Sequence, residues 1–302
     1  DWQPEGRFKG YRTLNLSRLG DTVAEYSERV RPFWREARDE VTAAFIAAYR
    51  DGVIDDAEAG NLRDRISASF ERLETRWVAL TEPLYRRAAS IGRDAAVDFS
   101  GAPDILDGWE TRADTYAAQA YSYLTRADGL LGEVRAFMTQ ILSIMSTNRT
   151  TPTPDNYRAA LPDNFGPGIE AAVLSAVVES GFNANEYRIT NWSGRLGELS
   201  NNVLTAGLNE ASTVEDDDGD DSDAWGTART VTEWHVEWVY VGDKATCPTC
   251  VREGSAGIRP LSQLSTRPGG DTECRANCRC VLVFWSKKEV DDGEAVRLGP
   301  IG

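Results

Sequence analysis

Histidine is almost missing: His235 is the only one in 302 residues. That excludes the paired-histidine HExxH zinc-protease signature. Any Ser/His or Cys/His catalytic scheme would have to run through this one side chain. No GxxxxGK[ST] loop and no GxGxxG fingerprint occurs, so nucleotide chemistry lacks its usual phosphate cradle. No run reaches roughly 18 unbroken apolar residues, so no membrane-spanning helix is expected, and no charged-then-apolar leader is visible. Lysine is scarce, with only Lys9, Lys244, Lys287 and Lys288 beside many arginines. GC-rich codon usage and adaptation to salt both account for that bias. There are 48 acidic against 33 basic side chains, a net charge of −15. Such a chain is a poor general binder of DNA or anionic membrane, because phosphate neutralisation supplies most of that affinity. High salt would screen the repulsion among its carboxylates.

What is present is mostly helical pattern. The residues are 41% apolar and 27% charged, enough for a sizeable core. In a first run Val23, Tyr26, Val30, Phe33, Ala37, Val41, Ala44 and Ala48 recur at steps of three and four, ended by Asp51-Gly52. A second run carries Ile66, Phe70, Leu73, Trp77, Leu80, Leu84, Ala88, Ile91 and Ala95 and stops near Ser100-Gly101. A third carries Ala120, Tyr123, Ala127, Leu130, Val134, Phe137, Ile141 and Met145. Stripes with this period mark long packed helices. Two further helices are expected at about 167–181 and 194–212. The stretch 51–60 (DGVIDDAEAG) resembles half of a calcium EF-hand loop, but Ala47 and Tyr49 stand where carboxylates belong. It reads as a helix–helix turn, with Asp55 or Asp56 as the cap. The acidic run 214–223 has Val214 at its first ligand position, so it reads as a solvated, protease-sensitive loop.

After that loop the period changes. In 230–242, Thr232, Trp234, Val236, Trp238 and Tyr240 fall on one face and Glu233, His235 and Glu237 on the other, the alternation of a half-buried strand. A second strand, apolar on both faces, is expected at 280–285, with an irregular loop between the two. The fold class is therefore mainly α: a bundle of long antiparallel helices with a small β-rich, cysteine-stapled C-terminal module. The layout is an extended arm (1–20), the long-helix bundle (21–148), a hinge with further helices (149–213), an acidic linker (214–229), a zinc-ribbon-like module (230–288) and a flexible tail (289–302). The arm's Trp2, Phe8 and Tyr11 anchor either on a partner or on their own domain.

The first 246 residues contain no cysteine, and all five crowd into the next stretch: Cys247, Cys250, Cys274, Cys278 and Cys280. Cys247-Pro248-Thr249-Cys250 has the knuckle spacing that brings two thiolates to one zinc ion. A tetrahedral site takes four ligands, so five sulfurs leave one in excess. Structural zinc is the leading reading, with disulfides or free thiols as alternatives. His235-Val236-Glu237 followed by Cys-Pro-Thr-Cys superficially echoes the zinc-deaminase signature. Here the proline lies inside the cysteine pair, and residues 238–246 leave no room for the intervening elements. No catalytic residue is assigned.

Trp238, Asp243, Cys247-Pro248-Thr249-Cys250, the glycines Gly254 and Gly257, and then Asn277-Cys278-Arg279-Cys280 before an apolar strand resemble the C-terminal module of the Mu-F-like minor head proteins of tailed phages. The motif match spans 234–285, and helices upstream are also typical. The family's His-Pro before Asn-Cys-Arg-Cys is here Arg275-Ala276, next to Cys274. The resemblance implies a structural virion component and no enzyme. It would sit at the portal vertex or inside the head and be found in host cytoplasm during assembly. Portal or major capsid protein would be its partners, several copies would enter each virion, and no membrane is involved. Head assembly and DNA packaging or ejection would be its work. A cellular binding module with a zinc-ribbon-like end is the alternative. The expected site is one zinc on Cys247, Cys250, Cys278 and either Cys280 or Cys274, with Arg252, Arg275 and Arg279 donating to sulfur. Between Lys244 and Lys288 eight basic residues meet three acids, a local charge of +5. That charge would face packaged DNA or an acidic neighbour, or these arginines would pair with the acidic helical bundle of the same chain.

Overall fold

The computed structural model describes residues 8, 10–48, 56–102, 108–126, 182–183, 185–213, 233–268, 272–274 and 278–301, with single positions at 130, 132, 136, 176 and 179. Of these residues 69% are helical, and the rest includes a small three-stranded antiparallel sheet. The expected hinge (149–166), the acidic loop (214–223), most of the helix at 167–181, the end of the third stripe, Trp2 and Asp55 lie outside the described residues.

The long helices are α1 (Leu16–Ala48), α2 (Asp56–Ser100), α3 (Trp109–Thr125) and α4 (Gly194–Thr213). Helix α1 starts within the expected arm because Asn15 caps it, its side-chain oxygen accepting the Arg18 N–H at 3.0 Å. Helix α2 stops where Gly101 turns left-handed, with φ +67°. The chain divides into two compact units, and α1 and α2 contribute to both.

One unit takes 26–81 and 117–190. Tyr26, Val30, Phe33, Ala37, Val41, Phe70, Leu73 and Trp77 from the first two stripes are buried there. The segments run antiparallel, Glu36 pairing with Arg76 and Glu40 with Arg72. Trp34, which the stripe did not include, donates its indole N–H to the Phe182 carbonyl at 2.8 Å.

The other unit takes 1–25, 82–116 and 191–302. Arg87 pairs with Glu25, and Arg18 with Asp94 at 2.8 Å. Helix α4 crosses α2 at Gly92, where an added Cβ would lie 2.2 Å from the Ser200 carbonyl oxygen. The Ser200 hydroxyl donates to the Ala88 carbonyl at 2.6 Å across the same crossing. Beside it Tyr116 donates to Glu198 at 3.0 Å, and burial with the nearby Glu198 charge pushes its pKa up to about 12.

The sheet in this unit has the order β2 (Arg259–Pro260), β1 (Trp234–Val239), β3 (Val281–Ser286). Val236 faces Phe284 and Trp238 faces Leu282, while Glu237 faces Val283 and Val239 faces Val281. Both expected strands are present and β3 is buried on both faces as expected, but β1 is not half-buried: all six of its residues are buried. Trp234, Val236, Trp238, Leu282 and Phe284 pack with Ile91, Ala95, Ala96, Leu204 and Leu208. On the opposite face Val239, Val281, Val283 and Trp285 pack with Phe8, Leu298 and Ile301.

This second cover decides between the two alternatives for the N-terminal aromatics and corrects the reading of the C-terminal tail. Phe8 and Tyr11 anchor on their own sheet, Tyr11 edge-on to Trp285 at 5.7 Å, and the Phe284 N–H donates to the Arg12 carbonyl at 3.0 Å. The tail is docked instead of loose: Ile301 donates to the Tyr240 carbonyl at 2.8 Å, and Gly242 to the Ile301 carbonyl at 2.9 Å. The module and the helices around it share one core. The stretch between β1 and β3 also departs from an irregular loop, holding α5 (Pro248–Ser255), β2 and a 3-10 turn at Leu261–Gln263. Helix α6 (Lys287–Asp291) follows β3 with a Ser286/Glu289 capping box.

Candidate metal centre

Strand β1 delivers the chain to a tight turn at 243–246, and Cys247 then stands as the N-cap of α5. Pro248 at the first helical position fits the helix start, its fixed φ being helical and its missing N–H not needed there. Cys250 follows in the first helical turn, 1% exposed. Cys278 and Cys280 lead into β3, and Cys274 comes from the segment before them.

All five cysteines are free thiols, and they converge. The Cys247 sulfur lies 3.3 Å from that of Cys250 and 3.4 Å from that of Cys274. The Cys250 sulfur lies 3.5 Å from that of Cys274 and 3.8 Å from that of Cys278. Cys247, Cys250 and Cys274 form one group of ligand atoms, and Cys250, Cys278 and Cys280 a second, each with its atoms within 4.8 Å of one another. Sulfurs 3.3 Å or more apart are unbonded, since a disulfide needs about 2.05 Å. Four thiolates around one ion at about 2.3 Å would be about 3.8 Å apart. The separations inside each group of three are compatible with ligands of one ion, the two groups share Cys250, and the cluster could hold a metal ion.

The electrostatics fit such a ligand set. Cys274 is raised above its ordinary pKa by contact with Cys278 and by burial. Cys250 and Cys280 are each pulled down by one sulfur neighbour, Cys278 and Cys250 respectively, but other sulfur contacts and burial outweigh this and raise them. Cys278 is lowered, because contacts from Cys274 and Cys280 outweigh the opposing Cys250. Binding of a cation to such a cluster would be accompanied by release of thiol protons.

The arginines do something other than expected. Arg279 makes two 2.7 Å hydrogen bonds to the Asp243 carboxylate, and that guanidinium holds Asp243 below its ordinary pKa. A planar fork finds its best geometry on a carboxylate, which explains the preference over sulfur. Asp243 also accepts the Ala245 N–H at 3.0 Å, so the pair ties the turn before Cys247 to the segment between Cys278 and Cys280. Arg252 pairs with Glu253, and Arg275 lies outside the described residues. The buried Glu253 receives Arg259 at 2.5 Å, which ties α5 to β2. Lys287 and Lys288 pair with Asp291 and Asp292. Among the described residues these cations pair with carboxylates of the module and of α6 instead of the helical bundle that was the expected alternative.

His235 is not the partly exposed residue expected: it is 9% exposed, and among the described residues its Nδ1 has no hydrogen-bond partner and it belongs to neither sulfur group. Glu237 is fully buried, accepting the Leu298 and Gly299 N–H groups at 2.9 Å. Sequence reasoning missed that pair because its donors are backbone groups of a segment without period. Among the described residues no helix is long and apolar enough to cross a membrane. Comparison with protein-family models, curated proteins and solved structures finds no match.

Proposed function

We propose that the chain is a structural minor head protein of a tailed virus. It would associate with the portal or inner capsid in several copies, acting in head assembly and DNA packaging or ejection, its C-terminal module held by one structural zinc ion. The observation carrying this reading is that the residues of the phage-like motif, far apart in sequence, meet at one place. Trp238 is in the core against the cysteines, Asp243 is bound to Arg279, and Cys247, Cys250 and Cys278 bring their sulfurs together. The departure from the family pattern also finds a reason. Cys274, beside the missing histidine, reaches Cys247, Cys250 and Cys278, whereas the sulfur contacts of Cys280 are to Cys250 and Cys278. The ligand set is then Cys247, Cys250, Cys274 and Cys278.

In this reading the ion supplies rigidity to a small sheet and no chemistry. Internal pairing of Arg252, Arg259 and Arg279 favours a protein-facing surface over a phosphate-facing one. Purified particles should contain the protein at a fixed low copy number, extracted together with the portal. Recovery only as free protein from host cytosol sinks the proposal and favours a cellular binding module. Elemental analysis of the reduced protein should find one zinc per chain.

A further inference from the structure

Four ligands from five thiols leave one sulfur, and its position gives it chemistry. We propose that Cys280 is an oxidation site that releases the metal by forming a disulfide with Cys250. The proposal rests on the zinc reading above. Cys250 is the sulfur common to both groups, and Cys280 lies within 4.8 Å of it while ligating nothing in the four-ligand set. Cys280 is partly exposed, whereas Cys250 is 1% exposed, so a small oxidant meets Cys280 first. Cys278 is the other neighbour, but a single residue separates it from Cys280 at the entry to an extended strand, a spacing unfavourable for a bridge.

The oxidant class is a hydroperoxide. With hydrogen peroxide, its O–O bond breaks and an S–S bond forms between Cys250 and Cys280. The two sulfurs together lose two electrons to the peroxide oxygens. The Cys280 thiol proton and one solvent proton complete two water molecules, and the bond from Cys250 to the ion breaks. The remaining thiolates, Cys247, Cys274 and Cys278, no longer close a tetrahedron. Because Cys250 also packs in the core with Trp238 and Leu264, the event is felt by the sheet as well as by the site.

The test uses the full-length, zinc-loaded protein under hydrogen peroxide. Zinc release is followed with a chromophoric chelator, and the bridge is mapped by mass spectrometry. Wild type should release one zinc while losing about 2 Da. Cys280→Ser should bind one zinc as the reduced protein and release it about tenfold more slowly. Cys280→Ala serves as a second variant should serine perturb the strand. Two results overturn the inference while leaving the zinc reading intact: equal release rates in wild type and both variants, or a mapped bridge that excludes Cys280. Loss of zinc from both reduced variants makes Cys280 a ligand and also overturns it. A reduced wild type that binds no zinc overturns both.

Discussion

Glu237 offers the sharpest test of how the module is assembled. Its carboxylate is wholly buried in the middle of β1, opposite Val283, and accepts the N–H of Leu298 with both oxygens, at 2.9 and 3.0 Å, and that of Gly299 at 2.9 Å. A hydrogen bond to a charged group contributes about 1.5–3 kcal/mol, against about 0.5–1.5 for a neutral one. Glu237→Gln keeps the shape and removes the charge, so two bonds weakened by about 1 kcal/mol each give a loss of roughly 2 kcal/mol. The same substitution in a chain stopped after Asp292 should be neutral or stabilising, because there the carboxylate is a desolvated charge without its donors. Denaturant unfolding of the four proteins closes a double-mutant cycle, with a coupling of about 2 kcal/mol expected between residue and tail. Amide exchange adds a local readout: Leu298, Gly299 and Ile301 should lose protection in Glu237→Gln. An equal cost with and without the tail would refute the idea that this carboxylate holds it.

At the helix crossing, Gly92→Ala must push α2 from the Ser200 carbonyl 2.2 Å away and should cost about 1–3 kcal/mol in unfolding experiments. Gly20→Ala, with nothing within 4 Å in its own helix, should gain about 0.5–1 kcal/mol and serves as the control. Asp243→Asn should weaken zinc binding about tenfold in chelator competition, because the neighbouring segments lose their tie. Burial raises Glu289, but the Ser286 N–H and hydroxyl with Arg12 outweigh it, so its folded pKa is below 4.5. Its stabilisation is thus complete above pH 4.5 and lost as pH falls below it; Phe284 amide protection should fall in that window and respond less to pH in Glu289→Gln.

Legibility in the sequence followed how local each signal was. The stripe through Phe70, Leu73 and Trp77 and the stop at Gly101 depend on neighbours within a turn, and both appear in α2. The alternation around Trp234, Val236 and Trp238 located β1 and its helix-facing side. It could not reveal a second cover, because Phe8, Leu298 and Ile301 come from segments with no period. Glu237 and His235 were therefore read as facing water, by a rule that holds for a sheet covered once. Cysteine crowding located the thiol cluster, while proposing Cys274 over Cys280 as the fourth ligand needed distances. Arg279 was assigned to sulfur by nearness in sequence, and its partner Asp243 lies 36 positions away.

The shared core changes what the metal would accomplish. Had the sheet buried its own separate interior, losing the ion would melt the module and spare the helices. Instead Cys250 belongs to the same buried cluster as Trp234, Trp238, Ile91, Leu204 and Leu208. Closing the sulfurs around an ion would fix the start of α5 and the entry to β3 together, and Leu282 and Phe284 of β3, with Trp238 of the paired β1, pack against α2 and α4. Opening the site would remove the restraint on one side of that core while its apolar contacts remain, so loosening should reach the end of α2 and the Leu204–Leu208 part of α4 as well as the sheet. The Trp34–Phe182 contact and the Tyr26–Trp77 packing belong to the other unit's core and have no member in this cluster. An ion held by these sulfurs would thus restrain one of the two units, at a core shared between a sheet and the helices it covers.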